Sequence, residues 1–385
     1  PRPTALLYRA MALTFGTLKP LSVTPEVYVV LPDSGRQSGK RDAVVRAFHK
    51  ASDLLVACRA GFGVMPDGSL DRLPLTAKAL IYPVPFDPSD ETLARLTRFV
   101  EAGGSLYVSG DLSYDAQRQP TQRARLQRLC GIDVEGEPRA KPLDMPPALN
   151  ATDAMRPFLT VKPAGAEVLA ACAGTPVLTR YRLGKGQVWF NVEPVELDAS
   201  PTNGVAIYLA FLKAAAIPNL PDAPDAPGLH VFRVPGEGAE AWVVSQAPGK
   251  PWSGTLGGFE VTLPEGGEGV LIIGHDGALR AAGCKGTIRS NSLERLRCTA
   301  RTFVVAAGGG DLSTASGLLV LPLGTGEVRL ARTSSPKPAA EAGEISGGVW
   351  HPFATLPVTC ENDMLVLPVP AAYERDMIRV TTDAK

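Results

Sequence analysis

The sequence predicts an α/β domain built on a mostly parallel sheet, followed by an all-β sandwich region. Three observations predict it. Short apolar, β-branched runs alternate with helix-period segments up to about residue 217. The stretch PNLPDAPDAPG, residues 218–228, then breaks the pattern as a proline-rich linker. Beyond it helix periodicity nearly vanishes, and short strands recur between Gly, Pro and Asn. The implied division is a leading segment 1–24, an α/β domain 25–218, a linker 219–228 and a β-sandwich region 229–385 of one or two small domains.

VYVVL (27–31) is a continuous apolar run of the kind buried in parallel sheets. The helix after it carries Val44, Val45, Phe48 and Leu55 at helical spacing and stops near Gly61. ALIYPV (79–84) is the next strand. Asp87 is then the expected N-cap, with Pro88 at the first helical position and Asp90 and Glu91 in the first turn. Leu93, Leu96, Phe99 and Val100 make the buried stripe, and Gly103-Gly104 the left-handed stop before the strand SLYVS (105–109). GTPVLTRYRLGKGQVWFNV (174–192) reads as a hairpin, and NGVAIYLAFLKAAAI (203–217) as a closing helix. In the β region, RTSSPKPAAEAGE (332–344) is expected as an exposed connection.

Composition narrows the function. Lys+Arg and Asp+Glu balance at 39 each, so no global field favours nucleic acid or an anionic membrane, and no nucleic-acid-binding signature occurs. No uncharged run reaches the roughly 18–20 residues of a membrane helix. The six cysteines are scattered without a CxxC pair, which argues for buried free thiols in a reducing, cytoplasmic compartment and against a zinc site. Cys284 and Cys298 flank a hairpin, and their pairing stays open. PRPTALLYRAMALTFGTLKPL (1–21) lacks the features of a secretory signal and is read as a docking or linking piece from a preceding domain, or as a processed end.

Few groups offer chemistry. SGRQSGK (34–40) has three residues between its glycines and Arg41 after Lys40, so it is no Walker A loop. No GxSxG elbow occurs, and His49, His230, His275 and His351 have no partner by spacing. The candidate cleft carboxylates are Asp33, Asp87 and Asp111, at the carboxyl ends of parallel strands where open sheets place ligands. Each also has a structural reading, Asp87 as a cap and the other two as turn residues. Trp252 and Trp350, placed in loops, are candidate sugar or interface contacts, whereas Trp189 and Trp242 fall inside strands and face cores. No cofactor or metal is expected.

AKALIYPVPFDPSDETLARLTRFVEAGGSLYVSGD (77–111) and YRLGKGQVWFNVEP (181–194) carry a resemblance. They resemble the glutamine-amidotransferase-like domain that follows the catalytic barrel in family 42 β-galactosidases and related barrel glycosidases, which end in a small β-sandwich. The resemblance implies a flavodoxin-like, class I glutamine-amidotransferase-like α/β domain without its nucleophilic Cys. It also implies assembly as a homo-oligomer, a trimer. The acid/base Glu, preceded by Asn, and the nucleophilic Glu of such enzymes belong to a (β/α)8 barrel of about 250 residues. Only 24 residues precede the first strand region here, and no Asn-Glu dipeptide occurs. The expectation is therefore a non-catalytic scaffold whose partner is a catalytic barrel domain or subunit, with carbohydrate contact possible. The alternatives are a stand-alone carbohydrate- or partner-binding protein, and a small hydrolase using carboxylates. The last requires a pocket joining Asp33 and Asp111 and a raised carboxyl pKa.

Overall fold

The structure is a computed structural model that describes residues 3–33, 41–115, 119–136, 159–172, 174–197, 201–217, 229–246, 251–307, 310–332, 337–346 and 349–381. The expected loop 34–40 and proline-rich linker 218–228 lie outside the described residues. The chain forms two compact units. One is Thr24–Asn219; the other joins Pro1–Val23 to Leu220–Lys385.

In the first unit, β1 (Val27–Leu31), β2 (Gly63–Pro66), β3 (Ala79–Pro83), β4 (Ser105–Ser109) and β9 (Gly186–Asn191) run parallel in the order β2-β1-β3-β4-β9. Strands β8 (Thr175–Leu183) and β7 (Glu167–Cys172) extend the sheet antiparallel beyond β9. The central strands are apolar on both faces because each face buries a separate core. Val29, Ile81, Tyr107 and Trp189 pack with Ala51 and Leu54 of α2 (Arg41–Ala57) and with Tyr208 and Phe211 of α5 (Pro201–Ala214). On the other face Val30, Leu80, Leu106 and Phe190 pack with Leu96 and Val100 of α3 (Asp90–Glu101) and Leu126 and Leu129 of α4 (Ala124–Cys130). A hairpin-like pair, β5 (Ile132–Gly136) and β6 (Thr160–Pro163), stands apart from this sheet.

Two local expectations need correction. Strand β2 has no counterpart in the sequence reading; it is four residues long, ends in Pro66 and is nowhere fully buried, so its pattern is too weak to stand out. Helix α3 is capped by Ser89 rather than Asp87: the Ser89 hydroxyl accepts the Thr92 N–H at 3.0 Å, while the Asp87 N–H turns back to the Pro85 carbonyl. Serine reaches the third helical amide as well as aspartate does, and Pro88 then sits outside the helix. Ser89→Ala is expected to cost about 1 kcal/mol of the unit's stability, read by urea denaturation, with Asp87→Ala costing less.

The second unit is almost entirely β. Strands β10 (Leu229–Gly236), β11 (Ala239–Gln246) and β14 (Glu268–Gly274) lead to two long strands, β15 (Leu279–Ser290) and β16 (Leu293–Ala306). Along its first half β15 pairs with β14, and after a break in register at Cys284/Gly286 it pairs with β13 (Phe259–Leu263), partner of β12 (Trp252–Leu256). Likewise β16 pairs first with β18 (Gly326–Ala331) and later with β17 (Gly317–Pro322). Strands that change partners at a bulge fold a sheet over on itself. Gly286 allows it, with φ +145 and the Thr262 carbonyl only 2.1 Å from where a Cβ would stand. The two layers enclose one core, from Trp242 and Leu271 through Ile288 and Leu296 to Leu367 and Val380. Cys284 and Cys298 are free buried thiols in that core.

The region 332–344 is not simply a connection: β19 (Ala339–Ser346) pairs with β20 (Val349–Leu356) and with the strand Met377–Thr381. The leading segment is a helix, α1 (Pro3–Leu18), on the outer face of the β unit, where Leu18 packs among Ala239, Ala241, Ile272, Ala281 and Phe303. Three alanines there leave room for a helix, and the Pro20–Gly236 bridge and the Leu21 N–H to the Pro235 carbonyl fix its exit.

Candidate functional site at the carboxyl edge of the parallel sheet

Strand order reverses between β1 and β3, so the crevice outside their carboxyl ends is where an open α/β sheet places a ligand. Asp67, directly after β2, is the centre of this region. It is 6% exposed, accepts the Tyr82 hydroxyl at 2.8 Å and accepts the Asp33 N–H at 3.2 Å. Burial raises its carboxyl above the usual range, against the lowering effect of the Tyr82 hydrogen bond. Burial and then Asp67 push the Tyr82 phenol well up, so Tyr82 is a neutral phenol donating to the Asp67 carboxyl group.

The backbone here is strained. Val84 and Phe86, just past β3, have φ of 47° and 56°, a left-handed conformation disfavoured by β-branched and bulky side chains. The neighbouring strand end holds them: the Val84 N–H donates to the Ser109 carbonyl and the Phe86 N–H to the Asp111 carbonyl, each at 3.1 Å. The strained turn brings Asp87 and the start of α3 over Asp67. The result is a cavity of about 650 Å³ lined by Asp67, Asp87, Asp90, Asp115, Gln122 and Arg125. Arg125 bonds Asp90 at 2.8 Å and the Tyr114 carbonyl at 3.0 Å. The lining is rich in hydrogen-bond acceptors, a composition suited to a hydroxyl-bearing ligand. Among the described residues, no group of three or more His, Cys, Asp or Glu side chains is placed to hold a metal.

A second polar cluster lies beneath the ends of β4 and β9. Glu196 is 1% exposed and accepts hydroxyls from Ser109 at 2.8 Å and Tyr208 at 2.7 Å. The neighbouring Tyr107 oxygen accepts from the Asn191 amide at 3.2 Å. Burial raises the Glu196 carboxyl and the phenols of Tyr107 and Tyr208. Burial likewise pushes the Cys58 thiol up to about 12 and raises that of Cys130, which disfavours the reactive thiolate at both.

The expected site residues do not converge. Of the three expected carboxylates Asp87 lines the acidic cavity; Asp33 meets Asp67, but neither Asp33 nor Asp111 is among the lining residues. Asp111 is 5% exposed and accepts the Ser113 N–H at 2.8 Å, a turn-forming bond. Trp252 opens β12 rather than a loop and is 6% exposed in the β core, because alternation along that strand points it inward. Trp350 lies on β20, also not in a loop; Arg379 covers its ring at 5.1 Å and its N–H donates to Glu341 at 3.2 Å. Trp189 and Trp242 are 5% and 2% exposed. Asp67 and Glu196 escaped the sequence analysis because the first follows the weak β2 and the second sits within a short 3₁₀ turn, Val195–Leu197. A usable signal was present only for Asp67, as Asp-Gly directly after a Pro-ended apolar run.

No family model matches the sequence, and no curated protein matches it. Solved structures do share its fold. The β-galactosidase from Bacillus circulans sp. alkalophilus aligns over 65% of this chain at 19% identity and TM-score 0.50. The cold-adapted β-galactosidase from Rahnella sp. R3 aligns over 66% at 17% identity and TM-score 0.53. The polyextremophilic β-galactosidase from the Antarctic haloarchaeon Halorubrum lacusprofundi aligns over 68% at 18% identity and TM-score 0.50. In each case the match spans only 41% of the β-galactosidase chain. No helix among the described residues is long and apolar enough to cross a membrane.

Proposed function

We propose that this chain is the non-catalytic scaffold and oligomerisation part of a multidomain, β-galactosidase-like retaining glycoside hydrolase. The observation that carries the reading is the partial match: about two thirds of this chain aligns with β-galactosidases, yet covers only 41% of their length. The sheet order β2-β1-β3-β4-β9 supports it, since it is the 2-1-3-4-5 order of flavodoxin-like, amidotransferase-like domains. In this reading a (β/α)8 barrel, as a further domain or a separate subunit, supplies the two catalytic carboxylates. The α/β unit packs against that barrel and against neighbouring copies in a trimer.

The test is the intact mass and N-terminal sequence of the natural protein, with its oligomeric mass. A species longer by roughly one barrel, about 250 residues or more, that hydrolyses a nitrophenyl β-galactoside is the expected result. The 385-residue chain alone is expected to show no hydrolysis. A natural chain starting at Pro1 with no barrel subunit co-purifying overturns the proposal.

A further inference from the structure

At the opposite, amino edge of the same sheet lies a trough that the scaffold reading does not use. Its volume is about 710 Å³, within the range of small-ligand sites. It is framed by the segment before β3, the end of α3, the β8–β9 hairpin and the last turn of α5. Every charged residue lining it is a cation: Lys78, Arg180, Arg182 and Lys185. Lys78 pairs with Glu26 at 2.7 Å and Arg180 with Glu167 at 2.6 Å. Arg182 and Lys185 have no carboxylate partner among the described residues, so two positive charges stand uncompensated.

Cations near helix C-termini often serve only to cap them. Here the caps are already made. The Glu101 carbonyl accepts the Lys185 backbone N–H at 3.1 Å, the Phe99 carbonyl accepts from Gly104 at 3.0 Å, and the Ala214 carbonyl accepts the Gln187 amide at 2.9 Å. The side-chain charges of Arg182 and Lys185 are therefore left for another anion. Arg180 and Arg182 are two apart on β8 and project from one face, about 7 Å apart along the strand. The remaining wall carries the polar side chains of Ser105 and Gln187 and, for apolar contact, Leu73, Phe99 and Leu75, whose side chain is fully exposed.

We propose that this trough is a binding site for an organic phosphate monoester with an apolar or aromatic body. The two uncompensated charges match a phosphate dianion, and a guanidinium fork matches its oxygens. Leu75 and Phe99 take the body of the ligand.

The test uses phenyl phosphate, inorganic phosphate and phenol as probes, titrated into the full chain by calorimetry at moderate ionic strength. Phenyl phosphate is expected to bind at least tenfold more tightly than either of the others. Arg182→Gln with Lys185→Gln is expected to weaken it at least tenfold, and Leu75→Ser several-fold toward the level of inorganic phosphate. All three positions are exposed, and an unchanged melting profile verifies that each variant is folded. Undetectable binding of phenyl phosphate, or binding that Arg182→Gln with Lys185→Gln leaves intact, overturns the proposal. So does a short Asp/Glu peptide binding more tightly than phenyl phosphate, which would assign the trough to an acidic protein partner. None of these outcomes bears on the scaffold reading, which rests on the mass and activity of the natural protein.

Discussion

Gly186→Ala is expected to unfold the α/β unit. A Cβ there would stand 2.1 Å from the Gly104 carbonyl oxygen and 2.3 Å from that of Val100. Both are backbone atoms at the end of α3, so no side chain can swing away. Relief requires β9 to move off the turn that joins α3 to β4, and β4 and β9 share a ladder from Ser105↔Gln187 to Ser109↔Asn191. That ladder carries Val188, Trp189 and Phe190 into both cores. The loss should exceed about 4 kcal/mol, a large share of a domain's net stability. Two-step urea unfolding followed by circular dichroism should lose the α/β transition while the β unit keeps its own. Gly61→Ala is the control: nothing lies within 4 Å of its Cβ position, and the change should stay within about 0.5 kcal/mol. A variant at Gly186 with wild-type stability would contradict the observed strand spacing.

Glu196 gives the second large effect. Replacing it by alanine removes the acceptor for the Ser109 and Tyr208 hydroxyls, both buried. Orphaned buried hydroxyls and the cavity together should cost roughly 3–5 kcal/mol. Glu196→Gln keeps an oxygen acceptor and should cost about 1 kcal/mol. The two variants also separate in pH. Burial raises the folded carboxyl above its ordinary 4.5, so between 4.5 and the folded value the native state holds a proton that the unfolded state has released. Stability contributed by this group is therefore full below 4.5 and declines as pH rises toward the folded value, where it levels off. Glu196→Gln should flatten that decline in a series of denaturation curves, leaving the slope of the same sign that Asp67 contributes. An unchanged pH slope in the glutamine variant would show that Glu196 is ionised in the fold.

Much of the fold was legible because it rests on local rules. VYVVL, ALIYP and SLYVS read as buried parallel strands since both of their faces meet helices, and continuous apolar runs follow from that. The end of α3 at Gly103-Gly104 was equally plain, because a left-handed residue with φ +121 needs glycine. The hairpin 174–192 was announced by its Gly-Lys-Gly turn, and Trp189 by its place in an apolar strand. The cap of α3 was displaced by two residues because Asp87 and Ser89 have the same local chemistry, and only the path of the strained Val84–Phe86 turn separates them.

The candidate site was less legible. Of the three carboxylates expected at this edge of the sheet, Asp87 lines the cavity, together with Asp67, Asp90 and Asp115, whereas Asp33 and Asp111 do not. Which carboxylates share a crevice depends on how three separate loops fold over one another. The same holds for the tryptophans. Whether Trp252 and Trp350 are open to a sugar depends on one-residue differences in strand register, which move a side chain from solvent to core.

What the sequence by itself determined, then, is the type and order of elements in the α/β unit and the β character of the second. Period, turn chemistry and helix stops are properties of neighbouring residues. What the tertiary structure decided is every relation between residues far apart in the chain. Helix α1 belongs to the β unit 220 residues later because Ala239, Ala241 and Ala281 leave it a groove. Glu196 is forced into a hydroxyl cage by Ser109 and Tyr208, and four cations gather at one sheet edge from segments about 100 residues apart. Such juxtapositions are set by burial and close packing over the whole domain, which no window of sequence contains.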